Sequence, residues 1–78
     1  MTTQNVTATV DARNLSCPMP IVRTAQRMKT ITSGQLVEVL ATDPGSLKDF
    51  TAWTRSTGNT LVEQTQENGV FHFIIRRA

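Results

Sequence analysis

The chain has 78 residues, 38% of them hydrophobic and 5% aromatic, which leaves room for one small domain with one core and excludes a second. One cysteine and one histidine exclude a disulfide framework and a zinc site built within a single copy. Eight basic against six acidic side chains leave a net charge of +2, too small an excess to mark a nucleic-acid binder.

The longest apolar runs are Val39-Leu40-Ala41 and Phe73-Ile74-Ile75, so no membrane span or secretory hydrophobic region is present, and the expected compartment is the cytoplasm. A lone Cys17 fits a reducing compartment, either as an inert buried residue or as a reactive thiol.

Residues 1–5 are polar and without period, which predicts a frayed tail ahead of a single domain over residues 6–78. Val6, Ala8 and Val10 alternate with Thr7, Thr9 and Asp11, the pattern of a half-buried strand over residues 5–11. From Pro18 the apolar set Ile21, Val22, Ala25, Met28 and Ile31 falls on one helical stripe, predicting a helix from Pro18 to residue 30 or 31 with Gly34 as its left-handed cap. Val37, Val39 and Ala41 around Glu38 predict a second strand over residues 35–41.

Thr42-Asp43-Pro44-Gly45 is turn chemistry, and Ser46 with Asp49 three residues on reads as a capping-box start. Leu47, Phe50, Trp53 and Thr54 then mark the core side of a second helix that Gly58 stops. Two β-rich runs, residues 60–66 and 70–76, flank Glu67-Asn68-Gly69, and Asn-Gly is a strong hairpin signal. The order βαβαββ predicts an α/β (α+β) two-layer sandwich, a mixed four-stranded sheet with both helices on one face. On the uncovered face Leu40 and Ile74 would lie beside Glu38 and His72, as scattered exposed apolar residues or as a partner surface.

Cys17-Pro18-Met19-Pro20 lies where a loop meets the first helix. Two prolines in three positions suit only a helix start, where the amides they remove have no intrahelical partner. With Cys17 as the cap residue, its sulfur would face the positive end of the helix and the remaining amides of Met19 and Ile21, predicting a thiol pKa below the ordinary value. No acidic residue occurs from Ala12 through Val37, whereas Arg13, Arg23, Arg27 and Lys29 do. Arg23 and Arg27 share a helix face, so Arg13, Arg23 and Arg27 are candidates to stabilise a thiolate or to meet an acidic partner. The bland alternative is a buried cysteine beside a solvated basic face. His72 is read as a strand residue without a catalytic role, Asp43 and Asp49 as turn and capping groups rather than metal ligands, and Lys48 and Arg55 as solvated.

The run Asp11 to Pro20, followed by Ile21-Val22-Arg23-Thr24-Ala25, resembles the CPxP signature of the TusA family of small sulfur carriers, also called SirA-like or YeeD-like. Thr42-Asp43-Pro44-Gly45-Ser46 with Asp49, Phe50 and Trp53 resembles the second family block, and Gly69 to Phe73 the final hairpin. The resemblance implies a sandwich like the carboxy-terminal domain of translation initiation factor three. It also implies a sulfurtransferase in which Cys17 bears sulfane sulfur as a persulfide and Pro18 and Pro20 shape its helix start. No cofactor or metal is implied beyond that transient persulfide.

The implied partners are a sulfur-donor protein, such as a cysteine desulfurase or rhodanese, and an acceptor such as a DsrE-like or TusD-like protein. Neither a membrane nor direct nucleic-acid contact is implied. Met19 stands where tRNA-thiolation members often carry glutamate, so a carboxylate beside the thiol is missing from the motif and the pathway stays open between sulfur oxidation, tRNA thiolation and cofactor biosynthesis. Two other classes compete: a regulatory or nucleic-acid-binding module, and a thiol redox sensor that oxidises at the same cysteine.

Overall fold

The computed structural model describes residues 6–78; the predicted tail lies outside the described residues. The elements are β1 (Val6–Ala12), α1 (Met19–Met28), β2 (Leu36–Ala41), α2 (Ser46–Thr57), β3 (Thr60–Glu67) and β4 (Val70–Arg76). They form one four-stranded sheet in the order β1-β2-β4-β3. β1 and β2 are parallel, while β4 runs antiparallel to both β2 and β3.

Strand alternation decides the layers. Ala8, Val10 and Ala12 pair with Val37, Val39 and Ala41, which in turn face Ile75, Phe73 and Phe71 across β4. This side of the sheet meets Met28 of α1 and Phe50 of α2 in one core cluster, so both helices cover the same face. Phe50 is the central knob of that core: its ring lies 4.8 Å from Phe73 at a tilt of 31° and edge-on to Trp53 at 6.1 Å, the latter a T-shaped geometry that aromatic quadrupoles favour.

The turns follow their residues. Asn68 and Gly69 both have positive φ, 53° and 79°, the two left-handed positions that a tight hairpin loop between right-twisted strands requires. Gly58 ends α2 in the left-handed region at φ 79°, as its place after the last helical residue predicts.

Several local expectations are corrected. α1 stops at Met28 and is capped by Lys29, and Gly34 lies in the later turn, where its N–H donates to Arg77 O at 2.9 Å. The buried face of α1 is Pro20, Thr24 and Met28, and Val22 is 38% exposed. Thr24 is tolerated inside because its hydroxyl donates to Pro20 O at 2.8 Å, which satisfies the buried polar group. On α2, Gly45 is the cap and no capping side-chain bond forms. Ser46 is instead buried as the first helical residue, and Leu47 is 40% exposed.

Ile74 lies on the sheet face opposite the helices, yet it is fully buried. Its cross-strand neighbours are Glu38 and Glu63, with His72 and Arg76 two residues away along β4, so long polar side chains on that face close over the apolar one. It is therefore not an exposed contact residue. Beside it His72 Nε2 hydrogen-bonds Glu38 Oε2, and the Thr9 hydroxyl donates to Glu38 Oε1 at 3.1 Å.

These contacts hold the Glu38 carboxyl below its usual pKa, the His72 bond first. A carboxylate with a lowered folded-state pKa adds stability above its unfolded pKa and loses it as pH falls through the folded one. Glu38→Gln is accordingly expected to lose about 0.2–1 kcal/mol at neutral pH, the scale of a partly solvated pair. Urea titrations should show that difference shrinking as the buffer is taken below the Glu38 folded pKa.

Candidate functional site

The loop after β1 is built by its own backbone. Leu15 N–H donates to Ala12 O at 3.3 Å, and Leu15 packs against the core. Asn14 adopts φ 66°, a left-handed conformation that asparagine tolerates better than most residues. Its N–H donates to Thr42 Oγ1 at 2.8 Å, which ties this loop to the one after β2. Met19 N–H then donates to Ser16 O at 2.9 Å, closing a four-residue turn with Cys17 and a cis Cys17–Pro18 bond in its middle. Val22 N–H to Pro18 O at 3.0 Å begins the helix.

The thiol therefore sits one residue ahead of the place expected for it. Pro18 is the cap residue of α1, and no side chain caps the helix. Pro18 and Pro20 carry no amide hydrogen, and that of Met19 is already used by Ser16 O, so the helix start has little left to offer the sulfur. Cys17 is exposed, which excludes the buried-cysteine alternative. Met19, 40% exposed, and Val22 continue an apolar surface along α1 from it.

The carboxylates that bear on the thiol come from the loop after β2 and from the first turn of α2. Gly45 N–H donates to Asp43 Oδ2 at 3.2 Å, and Asp49 N–H donates to Gly45 O at 2.9 Å. A Cβ on Gly45 would lie 3.2 Å from Asp43 Oδ2 and 3.6 Å from Asp49 Oδ2, so both carboxylates converge over this bare stretch of backbone.

Hydrogen bonding with Asp49, followed by lost solvation and by the charges of Asp49 and Asp43, raises the Cys17 pKa above its ordinary value. A carboxylate that accepts from the neutral S–H and repels the thiolate favours the protonated form. The expected lowering of the Cys17 pKa is thus corrected to a raising.

The basic residues are also placed elsewhere. Arg13 grips Asp11 through Nε at 2.9 Å and Nη2 at 3.0 Å, and this pairing lowers the Asp11 carboxyl to about 2. Arg23 and Arg27 line a groove between α1 and the outer edge of β1, with Thr9, Val10 and Asp11. The charged groups acting on the thiol are Asp49 and Asp43, and none of these arginines is among them. Lys48 and Arg55 line a shallow groove on α2 with Pro44, Leu47 and Thr51.

Sequence reasoning missed Asp49 as a group that acts on the Cys17 thiol. The only signal was its place in the first turn of a helix whose loop follows the strand paired with β1. Among the described residues no group of three or more His, Cys, Asp or Glu side chains is arranged to hold a metal ion, and no helix is long and apolar enough to cross a membrane.

A small two-layer domain whose single exposed thiol stands between a strand and a proline-framed helix is the architecture of a thiol-based group carrier. The fold superposes on a SirA-like protein from Desulfitobacterium hafniense with a TM-score of 0.78 at 25% identity, covering 88% of this chain and 95% of the other. The family profile described as Sulfurtransferase TusA matches residues 8–77, and the chain belongs to that family. It is 48% identical over 69 residues to the sulfur carrier protein TusA of Allochromatium vinosum, covering 88% of this chain and 91% of the relative. It is 50% identical over 68 residues to the putative sulfur carrier protein YrkI of Bacillus subtilis, covering 87% and 91%.

Proposed function

We propose that the chain is a sulfur carrier in which Cys17 accepts a sulfane sulfur as a persulfide and hands it to an acceptor thiol. The observation that carries this reading is the exposure of Cys17, the only cysteine, at the tip of the turn that opens α1. In the loading step the Cys17 sulfur attacks the terminal sulfur of a donor persulfide. A new S–S bond forms, the donor's S–S bond breaks, and the Cys17 proton ends on the donor thiol, with no net oxidant. Unloading is the same exchange with Cys17 as the leaving thiol.

With no second cysteine in the chain, a persulfide cannot resolve as an internal disulfide and its sulfur must pass to another molecule. The donor is accordingly a protein bearing a persulfide, and the acceptor a protein bearing a thiol.

The chain incubated with a persulfide donor is expected to gain the mass of one sulfur atom, lost again on reduction and never gained by Cys17→Ser. Intact-protein mass spectrometry reads this directly, and an unmodified wild-type mass after exposure to protein and small-molecule persulfide donors would overturn the reading.

A further inference from the structure

We propose that the outer edge of β1 and the arginine-bearing face of α1 form a docking groove for an extended acidic segment of a partner protein, which adds to the sheet as a further strand and sets carboxylates on Arg23 and Arg27. The inference stands apart from the chemistry of Cys17 and names a surface and the chemistry of what fills it.

Three observations meet there. β1 has a single neighbour in the sheet, β2, so every second residue turns its N–H and C=O outward with no strand to receive them. Its register with β2 shifts once, between Val6 and Ala8, and then runs unbroken to Ala12. The strand holds neither proline nor lysine, residues that commonly guard an exposed edge. The opposite edge, β3, carries Glu63 and Glu67 and slips register between Leu61 and Glu63.

Beside the β1 edge lies an open groove of about 450 Å³, lined by residues 9–11 and by Arg23, Gln26, Arg27 and Thr30. Those four positions follow the i, i+3, i+4, i+7 spacing of one helix face. Arg23 and Arg27 are exposed, and among the described residues neither is in an ion pair, the pairs being Arg13–Asp11 and His72–Glu38. Asp11, the one carboxylate lining the groove, is thus already held by Arg13, and what the groove offers a ligand is two unpaired cations.

Spacing and charge select the occupant. Arg23 and Arg27 are four residues apart, about 6 Å along the helix axis, and side chains at i and i+2 of a strand leave one face about 6.6 Å apart. A strand laid along β1 with acidic residues at alternate positions meets both arginines from one face while its backbone pairs with the β1 edge. In this mode main-chain bonds give affinity and alternate side chains give specificity. A second copy of this chain is a poor occupant, because pairing β1 with β1 about a two-fold axis gathers four arginines at one seam. Nucleic acid is a poor one as well: no aromatic side chain lines the groove for base stacking, and two cations make only a short phosphate track.

The test is an amide NMR titration of the full chain with a short capped peptide that alternates glutamate with threonine. The amides of residues 8–12 and 23–27 are expected to shift together, and Arg23→Gln combined with Arg27→Gln to weaken binding roughly 3- to 10-fold. A peptide with lysine in place of glutamate should leave these amides unmoved. The glutamate peptide N-methylated throughout keeps its charge, has no N–H to donate, and should no longer shift the β1 amides.

Unmoved β1 amides at millimolar glutamate peptide overturn the groove. Equal binding by the lysine peptide, or by the double arginine variant, overturns the charge match, and equal β1 shifts from the N-methylated peptide overturn strand addition. An oligothymidylate that binds these arginines more tightly than the peptide assigns the groove to nucleic acid and overturns the proposal. Trp53 fluorescence checks that the variant is folded. The titration is run in the Cys17→Ser background, which has no thiol to load, so its outcome is independent of the sulfur-loading experiment.

Discussion

Phe50→Ala is expected to cost about 3–5 kcal/mol, the range for removing a buried aromatic ring and leaving a cavity. A chain of this length has only about 4–12 kcal/mol to lose. Phe50 is fully buried, lies between Phe73 and Trp53, and is the residue of α2 that joins the shared core. Neither neighbour can collapse into the vacated volume without giving up its own place: Phe73 is held in register opposite Val39, and Trp53 is on the same helix.

Denaturant titration followed by Trp53 emission should show the midpoint falling steeply for Phe50→Ala and only slightly for Phe50→Leu, which refills most of the space. An alanine variant as stable as wild type would show that α2 is anchored by something other than this ring.

Ile74→Ala is expected to cost about 2–3 kcal/mol, the lower part of the range for buried Ile or Leu truncations. By sequence position the residue belongs to the open face of the sheet, and on that reading its truncation would leave stability almost unchanged. In the structure it is fully covered, with Glu38 and Glu63 opposite it. Flexible polar side chains close over a gap more easily than a rigid core does, which places the loss below that of Phe50. Urea unfolding of Ile74→Ala and Ile74→Val separates the two readings, since a solvated residue gives no trend with side-chain size.

The element order was legible from local signals, each tied to particular residues. Alternation at Val6, Ala8 and Val10 marked a half-buried strand, Asn68-Gly69 the hairpin, and Gly58 the end of the second helix, because each is decided by backbone conformation within a few residues. The position of Cys17 at a helix start was legible for the same reason.

The thiol's electrostatics were not. A window without acidic residues along the chain reads as a basic site, but the groups that act on Cys17 arrive from the next loop and the first turn of α2, and long-range placement leaves no periodic trace. The helix start was also read one residue early, because a backbone bond from Met19 to Ser16 consumed the amide assigned to the sulfur. Ile74 was misread for a related reason: alternation tells which face a side chain leaves from, and neighbours decide whether water reaches it.

The parallel pairing of β1 with β2 has a consequence for how such a carrier diversifies. Neighbouring strands that run the same way release both following loops at one rim of the sheet. An antiparallel neighbour would have set the thiol and the acidic pair about 20 Å apart, the length of six residues of strand. The loop after β2 lies outside the ladders, so exchanging residues 42–45 changes the Asp43 share of the charge seen by Cys17 without disturbing a single ladder bond, while Asp49 stays on α2. One scaffold can thus be retuned to different clients by loop substitution.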